Sequence, residues 1–265
     1  MRFLLRPFTR TTYRGDITLL LLLLMLASLV MPAALAAELR QYRYNQVSIS
    51  TCQIDLQRDT LRMYWKDNNG NLLGTFANLR NWLRPQGKDI FCATNAGIYD
   101  KDHRPLGLYI EDGETLRKLN TRQNAYGNFY LPPNGVFIVE DRQARIVDTL
   151  SVDADRNRWL GTARFATQSG PIMLQNGIIN SVFDPASINM VVRNAVCIDS
   201  NRQVVLAMAR NPITFYDFAQ FLRDKVQCVD ALYLDGSISR IYPSLEADLG
   251  PAFGAIIAVT RDSDK

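Results

Sequence analysis

The chain holds one histidine in 265 residues, His103, and no Cys-x-x-Cys pair. A lone imidazole and four scattered cysteines do not make the usual ligand set of a catalytic zinc, so no metal is expected, and no cofactor either. A Ser-His-Asp triad is equally short of parts. His103 sits in the charged stretch Asp100-Lys101-Asp102-His103-Arg104, which reads as an exposed loop, and Ser169 lies in Thr-Gln-Ser-Gly-Pro rather than a Gly-x-Ser-x-Gly elbow. Basic excess is also missing. The formal net charge is +4, but Arg2, Arg6, Arg10, Arg14 and Asp16 fall in residues 1–36, leaving 26 basic and 25 acidic groups in the other 229. A near-neutral body offers no face for phosphate neutralisation, so a nucleic-acid partner is not expected. Only one long apolar run occurs, which excludes a polytopic membrane protein. Internal repeats, low-complexity stretches and Pro/Ser-rich linkers are absent too.

What is present begins with an address. Four arginines precede the 14-residue apolar run Ile17–Val30, Pro32 breaks it, and Ala34-Leu35-Ala36 is a small-x-small cleavage site. This is the pattern of a secretory signal cut after Ala36. The rival is an uncleaved anchor, since residues 17–37 carry no charge over about 20 residues, enough to span a bilayer. Membrane association is expected only through this segment. Either reading exports residues 38–265, to the periplasm or beyond, and leaves residues 37–265 as one domain.

All four cysteines, Cys52, Cys92, Cys197 and Cys228, lie in that domain. An even count in an exported chain permits two disulfides. Cys197–Cys228 is the favoured pair because both flank one hairpin–helix unit. The alternative leaves Cys92 and Cys197 as free buried residues within apolar runs.

Strand signals dominate the first half. Gln46–Ile54 and Thr60–Lys66 alternate, Asp67-Asn68-Asn69-Gly70 is a hairpin turn, and Leu72–Phe76 is its return. Asn78–Leu83 reads as a helix stopped by Pro85, and Ile90–Thr94 as a buried strand. Further hairpins are expected over Asp112-Gly113, Glu140-Asp141-Arg142, Asn176-Gly177 and Asn201-Arg202. Asp153–Leu160 reads as one helix and Phe215–Val226 as another, N-capped by Thr214. Val229–Leu234 and Ala255–Val259 close the series. The fold class is α+β: a mixed or antiparallel sheet with a few flanking helices.

Three of these strands end alike, in Gly with Asn, Asp or Ser, at residues 90–100, 164–174 and 231–242, and a fourth segment, residues 191–199, carries Arg193, Asn194 and Asp199 without a glycine. A glycine there lets the backbone approach a ligand closely, and a polar side chain there is positioned by the sheet. The ends carry Asn95, Ser169, Arg193 and Asp235, which together suggest one cleft.

The segments Asn95-Ala96-Gly97-Ile98-Tyr99, Pro105-Leu106-Gly107-Leu108-Tyr109 with Glu111, Gly127-Asn128-Phe129, Pro133-Asn134-Gly135-Val136-Phe137, Gly170-Pro171, Arg193-Asn194-Ala195 and Leu234-Asp235-Gly236 follow one another in order. In this order they resemble the phosphodiester glycosidase domain family, over residues 85–260 and in its bacterial exported branch. The resemblance implies hydrolysis of a sugar-1-phosphodiester in a glycan or glycoconjugate. It assigns Arg193 to the phosphate, which a guanidinium grips bidentately, with backbone N–H groups near Gly97 and Gly236. Asp235 is the implied carboxylate. Glycosidases usually use two, and Glu111 is the second candidate, with Asp199 its rival. Asn95, Asn128 and Asn134 suit sugar hydroxyls; Ser169, Gly170, Asn194 and Ser237 complete the expected substrate contacts. Arg193 bridging to Asp199 or Asp235 for structure alone is the plainer alternative. Two departures stand out: Ala96 where the family often has glycine, and Ile238 within a usually Gly-rich Asp-Gly-Gly-Gly-Ser motif, where a branched side chain is expected to narrow the cleft. A non-catalytic glycan-binding protein of the envelope would use the same cleft.

Overall fold

The computed structural model describes residues 37–236 and 238–263; the expected export segment and Ser237 lie outside them. Strands are numbered in chain order. A seven-stranded sheet runs β1 (Glu38–Tyr44), β2 (Val47–Ile54), β13 (Val204–Ile213), β12 (Val191–Asp199), β14 (Cys228–Asp235), β10 (Ile172–Gln175), β11 (Ile178–Ile179). A four-stranded sheet runs β15 (Ile241–Tyr242), β4 (Lys88–Asn95), β16 (Ile256–Asp262), β3 (Thr60–Tyr64). A five-stranded sheet runs β6 (Glu114–Arg117), β5 (Tyr109–Glu111), β9 (Phe165–Ser169), β7 (Gly135–Val139), β8 (Ala144–Asp148). Every pairing among the described residues is antiparallel. Among the described residues, four α-helices, α1 (Phe76–Leu83), α2 (Thr149–Ala154), α3 (Arg156–Leu160) and α4 (Phe215–Asp224), complete an α+β fold.

The period-2 geometry of a strand explains the layers. Val196 and Ile198 of β12 point into a core shared by all three sheets, with Cys52, Met63, Cys92, Phe137, Phe165, Leu232 and Ile257. Ala195 and Cys197 point the other way, onto Phe218, Phe221 and Leu222 of α4. Central strands buried on both faces must be apolar throughout, hence the unbroken runs in β12, β13 and β14. The outer face of the four-stranded sheet is covered by Phe76, Leu79 and Leu83 of α1, and that of the five-stranded sheet by Val152 of α2 with Trp159 of α3 packed alongside.

Two disulfides cross this frame. Cys197 bonds Cys228, as favoured from sequence, with Cα atoms 5.9 Å apart. Cys92 is not free: it bonds Cys52, Cα–Cα 6.5 Å, and so ties β4 of one sheet to β2 of another. Two elements differ from expectation. Leu72 forms only a single bridge, to Lys66 beyond the end of β3, because Thr75 caps α1, accepting from the Asn78 N–H at 3.1 Å. The single helix expected over Asp153–Leu160 is two, because Asp155 leaves the helical backbone (φ −146°) and its carboxylate caps Arg158.

Candidate active site

The strand ends meet at one amide. Asn194 of β12 lies opposite Asp235 of β14. Its Nδ2 donates to Thr94 Oγ1 at 2.8 Å and to the Asn95 carbonyl and Oδ1 at 3.0 Å. Its Oδ1 accepts the Asp235 N–H at 2.9 Å. One buried side chain thus joins the end of β4 to the end of β14 across two sheets. The third sheet arrives through Ser169, whose hydroxyl donates to the Leu234 carbonyl at 2.9 Å. The chain after β4 passes so close to β9 that a Cβ on Gly97 would sit 2.6 Å from the Gln168 carbonyl, so only glycine fits. Beyond β14 the chain folds back, with Ser239 Oγ donating to the Asp235 carbonyl at 2.7 Å and the Arg240 N–H to Asn95 Oδ1 at 2.8 Å.

On the α4 side of β12 lies Arg193, 1% exposed. Its Nε donates to the Ile213 carbonyl at 2.9 Å and its Nη2 to that of Asn189 at 3.1 Å. The guanidinium rests 3.6 Å over the Phe215 ring. It forms no ion pair among the described residues, and burial draws its pKa down. A structural bridge to Asp199 is excluded by that carboxylate's own partners, the Gln53 amide and the N–H groups of Asn201 and Gln203 in the β12–β13 turn. The Tyr233 hydroxyl makes no hydrogen bond of good geometry, though Arg193 and Asn128 both lie against it. Burial, with the Asp235 charge adding to it, pushes that phenol up to about 12. Gly236 closes over the same hydroxyl, leaving no space for a Cβ.

Four buried side-chain polar atoms lack a hydrogen-bond partner among the described residues: Asn95 Nδ2, Arg193 Nη1, Tyr233 OH and Thr260 Oγ1. Buried polar groups are nearly always paired, so each exception needs a reason. Three of the four sit on the strand ends that meet at the Asn194–Asp235 pair.

Sequence reasoning missed three residues here. Tyr99 is pushed up to about 12, chiefly by burial and then by the Asp235 charge, so its ring lies near that carboxylate. His103 is half-buried rather than exposed: its ring stacks on Tyr99 at 5.5 Å, and Nε2 lies 3.2 Å from the Ala252 carbonyl. A positive φ of 59° turns the loop inward at that residue. Tyr233, read only as a core strand residue, is the third. Tyr99 was within the quoted Asn95–Tyr99 segment, but an aromatic beside a strand end carries no signal that separates packing from chemistry.

Other expected residues take different places. Glu111 lies past the Ile110–Ala166 pair, at the opposite end of β9 from Ser169. That is a separation of four residues, about 13 Å along a strand. Its carboxylate accepts from the Tyr109 hydroxyl at 2.7 Å and the Trp65 N–H at 3.2 Å, and burial raises it to about 7. The register therefore does not bring Glu111 alongside Asp235. Asn134 is consumed by structure: its amide donates to the Phe129 carbonyl, and its Oδ1 accepts from Gln168 Nε2 at 2.7 Å and from Thr149. Gly170 packs against that same amide and the Phe129 carbonyl, with no room for a side chain. Asn128 is exposed beside Tyr233. Ile238 does not simply fill the cleft, since it packs against the cluster of Phe76, Leu79 and Phe253 beneath the four-stranded sheet.

Comparison with known proteins agrees with this frame. An Escherichia coli K12 protein, uncharacterized protein YigE, is 34% identical over 230 residues, 86% of this chain and 88% of its own. The catalytic domain of zebrafish N-acetylglucosamine-1-phosphodiester alpha-N-acetylglucosaminidase, auto-inhibited by its pro-peptide, shares the fold. Its TM-score is 0.56 at 14% identity, covering 86% of this chain and 82% of that one. A hypothetical protein from Synechocystis superposes at TM-score 0.50 and 15% identity, covering 84% of this chain and 61% of that one. Residues 88–242, from β4 to β15 and through every strand end described above, match the phosphodiester glycosidase profile, and the chain belongs to that family.

Proposed function

We propose that the protein is an exported hydrolase that cleaves a sugar-1-phosphodiester. The observation that carries the reading is the unpartnered Arg193 Nη1, held beside the unpartnered Tyr233 hydroxyl. A buried cation with no ion pair among the described residues is costly, and the N–H groups of its unpartnered Nη1 can donate to a phosphate oxygen. Asp235 lies on the sugar side, with Asn95 Nδ2 as a donor to a ring hydroxyl. The bond that breaks is from the anomeric carbon to the phosphate oxygen; water supplies the new hydroxyl, and the phosphate leaves as a monoester. A phosphate monoester has a second pKa near 6, so it departs at neutral pH without a general acid. One carboxylate, to attack the anomeric carbon or to activate water, then suffices where an ordinary glycosidase needs two. Arg193 and Tyr233 stabilise the charge that collects on the departing phosphate. Asn194 and Ser169 are positioning residues, since their polar atoms hold the strand ends.

Export fits the two disulfides, which persist in oxidising compartments. No helix of the described residues is long and apolar enough to cross a membrane. Cleavage after Ala36, releasing residues 37–265, is checked by N-terminal sequencing of the exported fraction.

A panel of sugar-1-phosphodiesters, offered to purified residues 37–265 with mass-spectrometric readout, tests the activity. Asp235→Asn should lower turnover at least about a hundredfold with little change in melting temperature. Arg193→Lys, which keeps charge but loses the fork, should raise KM more than it lowers kcat. Unfolding of Asp235→Asn with unchanged activity per folded molecule would make the residue structural. A binding-only protein is the second reading, favoured by the fact that no second carboxylate is hydrogen-bonded into this network among the described residues. Tight binding of the panel without product would decide for it.

A further inference from the structure

At the far end of the seven-stranded sheet from the candidate site, a groove of about 830 Å³ opens between that sheet and β8. Its size falls within the roughly 300–1,000 Å³ of small-molecule sites. Asp199 of β12 and Asp230 of β14 line it, each five residues along its strand from the Asn194–Asp235 pair, a distance of about 17 Å. The β12–β13 and β10–β11 turns form one wall. β8, with Ser151 of α2 and Trp159 of α3, forms the other. None of the residues that meet at the Asn194–Asp235 pair lines this groove.

Its floor is apolar. Leu56 and Ile198 reach it from the shared core, and Val147, also buried, lines it with them. Trp159 adds an indole, part of which is covered by the Arg158 guanidinium 4.8 Å over the ring. Six carboxamides line the same space: Gln57, Gln143, Gln175, Asn176, Asn201 and Gln203. The side chains of Gln175, Asn176 and Asn201 have no hydrogen-bond partner among the described residues. One exposed amide is ordinary, but six about an apolar floor supply donors and acceptors together. Charge is close to balanced. Arg142, Arg145 and Arg202 stand with Asp55, Asp148, Asp199 and Asp230, a formal charge of −1. Each aspartate already accepts a backbone N–H, from Gln57, Leu150, Gln203 and Asn176 in turn, at 2.8–2.9 Å, and Arg145 pairs with Glu140 at 3.0 Å.

We propose that this groove is a second binding site, and that it takes a neutral oligosaccharide. A sugar ring has apolar C–H faces and hydroxyls that each donate and accept. The amides answer the hydroxyls, and the indole and aliphatic floor answer the C–H faces. A strongly anionic ligand would meet more carboxylates than guanidinium groups, and an apolar helix would bury the amides without partners. The groove performs no chemistry. It retains a glycan at a distance from the Asn194–Asp235 pair and raises the local concentration there of whatever that glycan carries. The inference goes beyond the hydrolysis proposed above and does not rest on it.

The full chain, purified from the exported fraction, is titrated with maltohexaose, cellohexaose and chitohexaose, with hexagalacturonate as the acidic comparison, by calorimetry and by tryptophan fluorescence. At least one neutral hexasaccharide should bind and change the fluorescence. Of the three tryptophans only Trp159 lines the groove, so Trp159→Phe should lose that change. The variant combining Gln175→Ala and Asn201→Ala should bind at least about tenfold more weakly, with an unchanged melting temperature and unchanged kcat/KM on a soluble sugar-1-phosphodiester. Failure of all three neutral sugars to bind overturns the inference. So does binding that the double variant leaves undiminished, or a fluorescence change that survives Trp159→Phe. Binding of hexagalacturonate alone overturns the neutral ligand, and a wild-type dimer that the double variant dissolves makes the groove an interface instead. Groove binding with no turnover of any phosphodiester leaves this site in place and sinks the proposed reaction.

Discussion

Glu111 offers the sharpest numerical test. Burial raises its carboxyl from 4.5 to about 7, against the lowering effect of the Tyr109 hydroxyl and the Trp65 N–H. In the unfolded chain it titrates near 4.5. Folding therefore favours the protonated form. Its contribution is fully present below about pH 4.5, is lost as pH rises to about 7, and stays lost above. At about 1.4 kcal/mol per pH unit, the loss has an upper limit of about 3 kcal/mol. Glu111→Gln keeps an oxygen for both donors and cannot ionise. Its stability should match wild type near pH 4 and exceed it by up to about 3 kcal/mol near pH 8, or about 6–12 °C in melting temperature for a domain of this size. Urea denaturation across that range, with disulfides intact, reads the difference. Parallel stability curves for the two proteins would refute the reasoning, because they would mean that the carboxyl titrates alike folded and unfolded. Turnover is a second readout. It should change less than about threefold, whereas a loss of about a hundredfold would return Glu111 to the chemistry as a second acid or base.

Opening the Cys197–Cys228 bridge with Ser at both positions removes a constraint over a separation of 31 residues, worth about 4 kcal/mol in the chain-entropy relation, and should show as a lower urea midpoint with a steeper slope, since the freed unfolded chain exposes more surface. Gly236→Ala drives a methyl into the Tyr233 hydroxyl, a side chain with no room to move, and should cost about 1–3 kcal/mol and most of the activity. Adding Tyr233→Phe should recover the stability but not the turnover; recovery of neither would mean that the clash is not the cause.

The sequence showed what local chemistry determines. β4, β12, β13 and β14 were legible because burial on both faces leaves unbroken apolar runs. β1 was not, because it is an edge strand whose Glu38, Arg40, Gln41 and Arg43 meet water or lie near it, with no alternation to read. The division into three sheets was hidden as well. Each hairpin looks alike locally, and sheet membership is fixed by distant pairings such as β2 with β13 and β4 with β16. At the site, a glycine with an amide or acid at a strand end pointed to Asn95, Gly97, Asp235 and Gly236, whereas Asn194, on a segment without glycine, was legible only through the family resemblance. Glu111 went astray because a carboxylate at a hairpin end looks the same at either end of a sheet. Tyr233 was invisible because only its unpartnered hydroxyl distinguishes it from a core tyrosine.

The Asn194 amide has a consequence for how the protein acquires its cleft. It bonds residues 99, 100 and 41 positions away in the chain, and the Arg240 N–H reaches Asn95 across 145. No single hairpin contains even two walls of the cleft. Contacts of such long range form late and slowly in folding, so no fragment or partly assembled state can hold the site. Recovery of activity on refolding should therefore lag the recovery of strand content, and end only when the last sheet has docked.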